Sequence, residues 1–262
     1  MKQFFLLSSV LLLLTASDCK KGIENNSMPP ICYVGTDYYM INSIFNSSNS
    51  KTDYFEYDSL GKILSVDEYW DEEFLYDSLG RVVSIVNYSE SDKSHYWIDS
   101  ILYTPEGRID QILHYNNRTK FDRKNMAYGG VRYFRYNDID STITTYSVSG
   151  TDRVEGAAIR YYWSKGNIFK KEEYRDDELQ YSFVYKYDNE INYKKNHPYF
   201  IRNPLNWTNN NVIAKECIYN LSSYQSTCYD WQYQLEYDPI GLPLKIERED
   251  GQYIKMPTKS SI

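Results

Sequence analysis

From residue 50 onward, apolar and polar positions alternate in short runs, and clusters of turn-forming residues separate the runs. A period of two sends successive side chains to opposite faces of a strand, so these runs predict strands. No helical period is sustained anywhere after Cys19. The separators themselves repeat. Tyr57-Asp58-Ser59-Leu60-Gly61-Lys62 is followed by Tyr76-Asp77-Ser78-Leu79-Gly80-Arg81, then by Tyr103-Thr104-Pro105-Glu106-Gly107-Arg108. A fourth copy is Tyr162-Trp163-Ser164-Lys165-Gly166-Asn167, and a fifth is Tyr237-Asp238-Pro239-Ile240-Gly241-Leu242. In the first four, a further Tyr stands eight residues after the Gly: Tyr69, Tyr88, Tyr115 and Tyr174. The fifth has Glu249 there.

Turn chemistry accounts for the unit. Asp, Ser or Thr at the first corner accepts a hydrogen bond from the turn's own backbone, and Pro105 and Pro239 arrive with φ already set. Gly61, Gly80, Gly107, Gly166 and Gly241 then supply the left-handed conformation that a Cβ would penalise. Each unit thus predicts a hairpin with a type I turn and a bulge. Leu64 and Val66, Val83 and Ile85, and Leu244 and Ile246 stand three and five residues after their glycines. They are expected to face the core, with Asp110 a partial break. Ile63, Val82, Ile109 and Ile168, at even offsets with the Tyr residues, are expected on the opposite face. Degenerate copies begin at Phe134 and Phe183. The prediction is an all-β fold: an antiparallel β-meander of about 12–16 strands, curled into an open or barrel-like sheet. Asp71-Glu72-Glu73 and Asp176-Asp177-Glu178 fall where solvated turns are expected. Asn192 to Asn211, with Pro198 and Pro204, is the longest irregular stretch.

The N-terminus is of another kind. Met1-Lys2-Gln3 precedes an apolar run, Phe4 to Leu14, and then Thr15, Ala16 and Ser17, the layout of a secretory signal too short to span a bilayer. Cys19 follows, and the segment resembles the lipobox of bacterial lipoproteins, although Asp18 departs from that pattern. The expected organisation is a signal over 1–18, a lipidated Cys19 with linker over 19–35, and one β-repeat domain over 36–262. Cleavage after Ser17 would instead give a soluble periplasmic protein. The expected location is the outer membrane, held by the N-terminal lipid alone, with its side open. Lys170-Lys171-Glu172-Glu173 puts charge on both faces of one strand, which argues against a membrane-spanning barrel.

The net charge of −7 argues against nucleic acid as a partner. With 29 Tyr against 12 Gly and 8 Pro, the chain is no disordered linker. Cys217 and Cys228 flank a loop symmetrically and are candidates for a cross-strand disulfide, with paired buried thiols as the alternative. Cys32 is left over. His95, His114 and His197 are scattered, so no metal site or cofactor is expected. No G-x-S-x-G elbow exists, and the chain is not expected to be an enzyme; paired carboxylates for a carbohydrate-active hydrolase are the lesser alternative. The repeated Tyr residues are explained by cross-strand pairing. Trp70, Trp97, Trp163, Trp207 and Trp231 vary in position and are the candidate binding aromatics, because such rings stack on sugars and anchor interfaces.

The Tyr-Asp…Gly-Arg unit resembles the YD repeats of Rhs-type and teneurin-type proteins. Together with the export signal, the segment Tyr187-Asp188…Asn196-His197-Pro198-Tyr199-Phe200…Asn209-Asn210-Asn211 is similar to Bacteroidetes lipoproteins bearing a domain of unknown function described as porin-like. The resemblance covers roughly residues 50–250. It implies a curled β-meander and carries over no catalytic residue. The function expected is a non-enzymatic binding or scaffold module of the envelope, taking a glycan or an envelope protein as partner. A purely structural element without a small ligand is the alternative.

Overall fold

The computed structural model describes residues 41–67, 70–89, 96–117, 127–149, 157–195, 197–219, 230–239 and 241–256, and in it the repeated turn takes the geometry its residues demand. Asp58 Oδ1 accepts from the amides of Leu60 and Lys62, both at 2.8 Å. Asp77 Oδ1 accepts from Leu79 and Arg81, both at 2.9 Å. Gly61 and Gly80 then sit at φ 78° and 79°, where a side chain would be strained.

Sixteen strands result: β1 (Ser43–Asn46), β2 (Lys51–Tyr57), β3 (Ile63–Asp67), β4 (Trp70–Tyr76), β5 (Val82–Ser89), β6 (Tyr96–Tyr103), β7 (Ile109–Asn117) and β8 (Ala127–Asn137) form the first half. The second half is β9 (Thr142–Ser149), β10 (Ala157–Ser164), β11 (Asn167–Arg175), β12 (Glu178–Ile191), β13 (Asn210–Tyr219), β14 (Trp231–Tyr237), β15 (Pro243–Arg248) and β16 (Tyr253–Lys255). Each strand pairs antiparallel with the next, and β1 pairs with β16 to close a barrel. The repeated glycine turns all lie on one rim, which we term the turn rim. Most of the longer connections lie on the other, the loop rim.

One register feature changes which residues face inward. Glu56 pairs with Ser65 but Tyr57 pairs with Ile63, so Leu64 is an extra residue on the returning strand. The same bulge recurs at Val83, Asp110, Phe169 and Leu244. A bulge resets the two-residue alternation. Ile63, Val82, Ile109 and Ile168 therefore join Val66, Ile85 and Ile112 in the core, all four at 0% exposure, while Leu64 turns outward at 47%. The strict odd-even assignment from sequence is corrected accordingly. Asp110, the apparent break, is simply the outward bulge residue, paired with Arg135 at 2.9 Å.

Four tyrosines near the ends of outgoing strands serve as latches, while Tyr115 of the repeat pairs across strands with Tyr128, ring centroids 5.9 Å apart. Tyr76 donates its hydroxyl to the carbonyl of Ile63 at 2.8 Å, Tyr103 to Val82 at 2.7 Å, Tyr136 to Ile109 at 3.0 Å and Tyr187 to Ile168 at 2.6 Å. These four hairpins thus hook onto the carbonyl two residues past the preceding glycine. Lys62, Arg81 and Arg108 lie over the rings of Tyr76, Tyr103 and Tyr136, at 5.3, 4.5 and 5.1 Å. The fourth sequence copy departs from this scheme. Lys165 and Gly166 both have positive φ, making a tighter two-residue turn. Trp163, not Tyr162, takes the register of the latch and pairs with Ile168.

Inside the barrel a continuous apolar cluster runs from Ile41 through Phe134 to Met256. Outside, Arg160, Lys170, Glu172 and Lys186 stand on β10 to β12. On β11, the four charges sort by face: Lys170 pairs with Glu172 at 2.5 Å and Lys171 with Glu173 at 2.6 Å. Burial works to raise the Glu172 carboxyl, but Lys170 and the hydroxyls of Tyr162 and Tyr174 outweigh it and hold the group below its ordinary value.

Candidate functional site

The connection between β12 and β13, residues 192–209, leaves the turn rim and folds back into the lumen as a plug. Its sequence is built for tight, non-repeating turns. Pro198 and Pro204 open two short 3-10 helices, Pro198–Phe200 and Pro204–Trp207. His197 Nδ1 caps the first by accepting from the Tyr199 amide at 3.3 Å, and Asn203 caps the second through Leu205 at 3.1 Å. Asn192 ties the two ends of the plug together, donating to the carbonyl and to the hydroxyl of Thr208, both at 3.0 Å. Trp207 donates to Ile201 at 3.0 Å and stacks on Phe134 of β8 at 5.8 Å between ring centroids.

His197 is wholly buried. Because Nδ1 is an acceptor, the proton sits on Nε2, which faces the Tyr57 hydroxyl at 3.2 Å. Burial pushes its pKa down to about 3, so the ring is neutral. Phe55 packs edge-on against His197 and Tyr199.

On the far wall, Arg202 meets Glu72 of β4 and Asp99 of β6, each at 2.8 Å. Asn87 of β5 lies between them; with its amide turned to suit its neighbours it donates to Glu72 and accepts from Arg202 and Trp97. Asp99 uses its other oxygen on His114 Nδ1 at 2.7 Å. The sequence placed Asp71-Glu72-Glu73 in a solvated turn. Instead they lie within β4, and Glu72 is buried. A buried carboxylate there needs a cation, and the plug supplies it from a segment whose path the local sequence does not reveal. Asp176 and Asp177 do form a turn, both with positive φ.

Three cavities formed by the described residues lie between the plug and the loop rim. The first, about 250 Å³, has aromatic walls from Tyr185, Tyr193, Trp231 and Tyr233, with Asn203 and Asn206 of the plug at its floor. Lys215 Nζ lies 3.7 Å from the centre of the Trp231 ring, and burial lowers its pKa, with Lys171 adding to the effect. Burial also pushes the Tyr233 phenol up to about 12. Asn211 lines the same cavity with a buried Oδ1 that has no hydrogen-bond partner among the described residues. The second, about 350 Å³, is bounded by Asp99, His114, Arg132, Ser147 and Arg202. The third, about 310 Å³, carries Glu72, Trp97 and Tyr199. Arg202 is common to the last two, and Asn203 and Asn206 to the first and third. The plug therefore forms a common floor.

The candidate tryptophans divide. Trp97 and Trp231 line cavities, while Trp163 and Trp207 are walled into the core, each 4% exposed. Trp70 opens β4, with its side chain outside the described residues. Cys217 on β13 is disulfide-bonded. Cys19, Cys32 and Cys228 lie outside the described residues. No group of three or more metal-ligating side chains occurs among the described residues. Sequence reasoning missed Arg202, Lys215, Tyr185 and Tyr233; the clustering of Asn residues over 192–211 was the available signal, since seven amides in an otherwise alternating chain mark a segment with its own internal bonding.

No protein family model and no curated protein sequence matches this chain. Solved structures do. A porin-like protein from Bacteroides vulgatus superposes with a TM-score of 0.50 at 13% identity, over 86% of this chain and 100% of that one. The fold is a porin-like barrel. A second porin-like protein, from Bacteroides uniformis, gives 0.42 at 10% identity over 87% of this chain and 99% of that one. The toxin complex TcdB2-TccC3 gives 0.23 at 13% identity, over 78% of this chain and 9% of that one.

Proposed function

We propose that the barrel is a plugged cup of the cell envelope that binds a glycan between the plug and the loop rim, without catalysing a reaction. The observation that carries this reading is the first cavity. Four aromatic residues line it, Tyr185 and Tyr193 largely buried and Trp231 and Tyr233 partly exposed, and the amides of Asn203 and Asn206 offer donors and acceptors beside them. Sugar rings are recognised by that combination, apolar faces on rings and hydroxyls on amides. In this reading residues 1–18 are an export signal, Cys19 bears the lipid, and 19–35 link it to the barrel domain of 36–262 within a YD-type repeat lipoprotein. Cys228 is the disulfide partner of Cys217.

The barrel stands beside the membrane rather than in it. A lipid-facing wall would have to bury Arg160, Lys170, Glu172 and Lys186, at about 2–4 kcal/mol for each Lys or Arg near the bilayer midplane. The filled lumen likewise supports binding over conduction.

The test is a glycan array and an envelope-extract pull-down with the chain from Lys20, followed by titration of Trp fluorescence. A saturable glycan that quenches Trp, with quenching lost in Trp231→Phe, supports the cup. Capture of one envelope protein without any glycan would replace it with a scaffold role. Silence in both would leave a purely structural element.

A further inference from the structure

We propose that the turn rim docks on a lipid bilayer, with the side chains of Leu60, Leu79 and Ile139 as its insertion points. The tips of this rim depart from ordinary turn chemistry. Tight turns favour Asp, Asn, Ser, Gly and Pro because their tips meet water. Between β2 and β9, every tip on this rim except that of Glu106 carries a large apolar side chain two residues after the Asp or Asn whose side-chain oxygen accepts from its amide. These are Leu60 ahead of Gly61, Leu79 ahead of Gly80, and Ile139 ahead of Asp140. All three are displayed, at 70%, 60% and 94% exposure. A lone exposed leucine needs no explanation; a repeated one at the same corner does.

The rim reinforces the tips. Adjacent hairpin turns stand two strands apart, about 10 Å around the circumference. Leu64, Leu75 and Leu102 continue the apolar surface onto the outer wall just behind them, all exposed. Two cations beside the tips are matched: Arg81 pairs with Asp77 and Arg108 with Asp138, both at 2.8 Å. Matched pairs can approach headgroups without carrying net charge into them.

The path of the chain selects a bilayer over other occupants. The amide and carbonyl of Ile41 both bond the Tyr57 hydroxyl, at 2.9 Å each, so the chain crosses into the barrel at this same rim. On the lipoprotein reading proposed above, on which this step rests, an acyl chain at Cys19 lies about 20 residues away. That is a reach of at most about 70 Å even fully extended. One acyl chain gives marginal membrane binding, and a second contact converts it to stable attachment. Docking by the turn rim supplies that contact and turns the cavities, on the opposite side of the plug, away from the membrane.

The experiment uses the chain from Lys20, which contains every strand of the barrel and no lipid, so its result does not depend on acylation. Flotation with phosphatidylethanolamine–phosphatidylglycerol vesicles should carry the protein upward. The triple variant Leu60→Ser, Leu79→Ser, Ile139→Ser should lose about tenfold or more of this partition, given the apolar area removed. Ile218→Ser, exposed on β13 toward the loop rim, should float like the parent. Failure of the parent to float, or equal flotation of the triple variant, overturns the proposal. So does a dimer of the parent, in sedimentation without vesicles, that the triple variant abolishes, since the occupant would then be a second copy. Glycan titration of the triple variant separates this from the lumenal reading: its Trp quenching should match the parent whatever the vesicles report.

Discussion

Arg202 and Glu72, 130 positions apart in the chain, lie 2.8 Å apart in the lumen and fasten the plug to the opposite wall. Glu72 and Asp99 are both buried, so the guanidinium is the group that makes their charges tolerable there. Arg202→Met should destabilise the barrel by about 3 kcal/mol, the lower end of the range for breaking a buried pair, because Arg202 retains some exposure. The double variant Arg202→Met, Glu72→Gln should recover part of that loss. Urea unfolding of the four proteins of the cycle measures it; a change below about 1 kcal/mol for Arg202→Met would refute the role given to the residue.

Acid should loosen the plug through His197. Its folded pKa is pulled down from the ordinary 6.5 to about 3, so between those values the unfolded chain binds a proton that the folded chain refuses. Stability from this group is fully present above pH 6.5 and falls as pH drops, by about 2–3 kcal/mol between pH 7.5 and 4.5. His197→Gln, which cannot titrate, should flatten the slope of unfolding midpoint against pH over that window. An unchanged slope would place the acid sensitivity elsewhere.

The tyrosine latch is testable by removing one oxygen. Tyr103→Phe deletes the bond to the Val82 carbonyl and leaves the ring beneath Arg81 intact. The expected loss is about 1 kcal/mol, read as a lowered unfolding midpoint. Tyr54→Phe, whose ring is exposed on the outer wall, should have no measurable effect.

Two glycines with similar backbone angles should respond differently to alanine. Gly107, at φ +84°, has nothing within 4 Å of the point where a Cβ would stand, so Gly107→Ala should cost about 1 kcal/mol from backbone strain alone. Gly166, at φ +79°, adjoins Asn209 at the end of the plug, where a Cβ would overlap the side-chain amide. Gly166→Ala should therefore lower the melting temperature further than Gly107→Ala. Equal shifts would mean that Asn209 moves aside freely.

Peptide mapping of the unreduced protein should find Cys217 linked to Cys228. Linkage of Cys217 to Cys32 instead would overturn that pairing.

Much of the barrel could be read from residues alone, because its rules are local. Asp58 and Gly61 specify their own turn, and one hairpin specifies the next. The inward face could not be read in full, since the extra residue at Leu64 or Val83 leaves no mark in a hydrophobicity pattern until pairing is known. Glu72 eluded sequence reading for a different reason. An acidic triplet is ordinarily solvated, and only the distant Arg202 makes it a lumenal residue. The candidate site was half legible: Trp231 and Trp97 stood out by type, whereas Tyr185 and Tyr233 were hidden among 29 tyrosines of which most are wall or latch.

The tyrosine latches also bear on how the chain reaches this shape. Every latch hooks backward onto the hairpin before it, so the meander can grow as a series of short loop closures, each with a small entropy cost. Two events are exempt: β1 must find β16, and the plug must find the wall across the lumen. Both require the intervening hairpins to be in place. Refolding should accordingly divide into early strand pairing and a later, slower locking of the ring, with the Arg202 contacts formed only in the second.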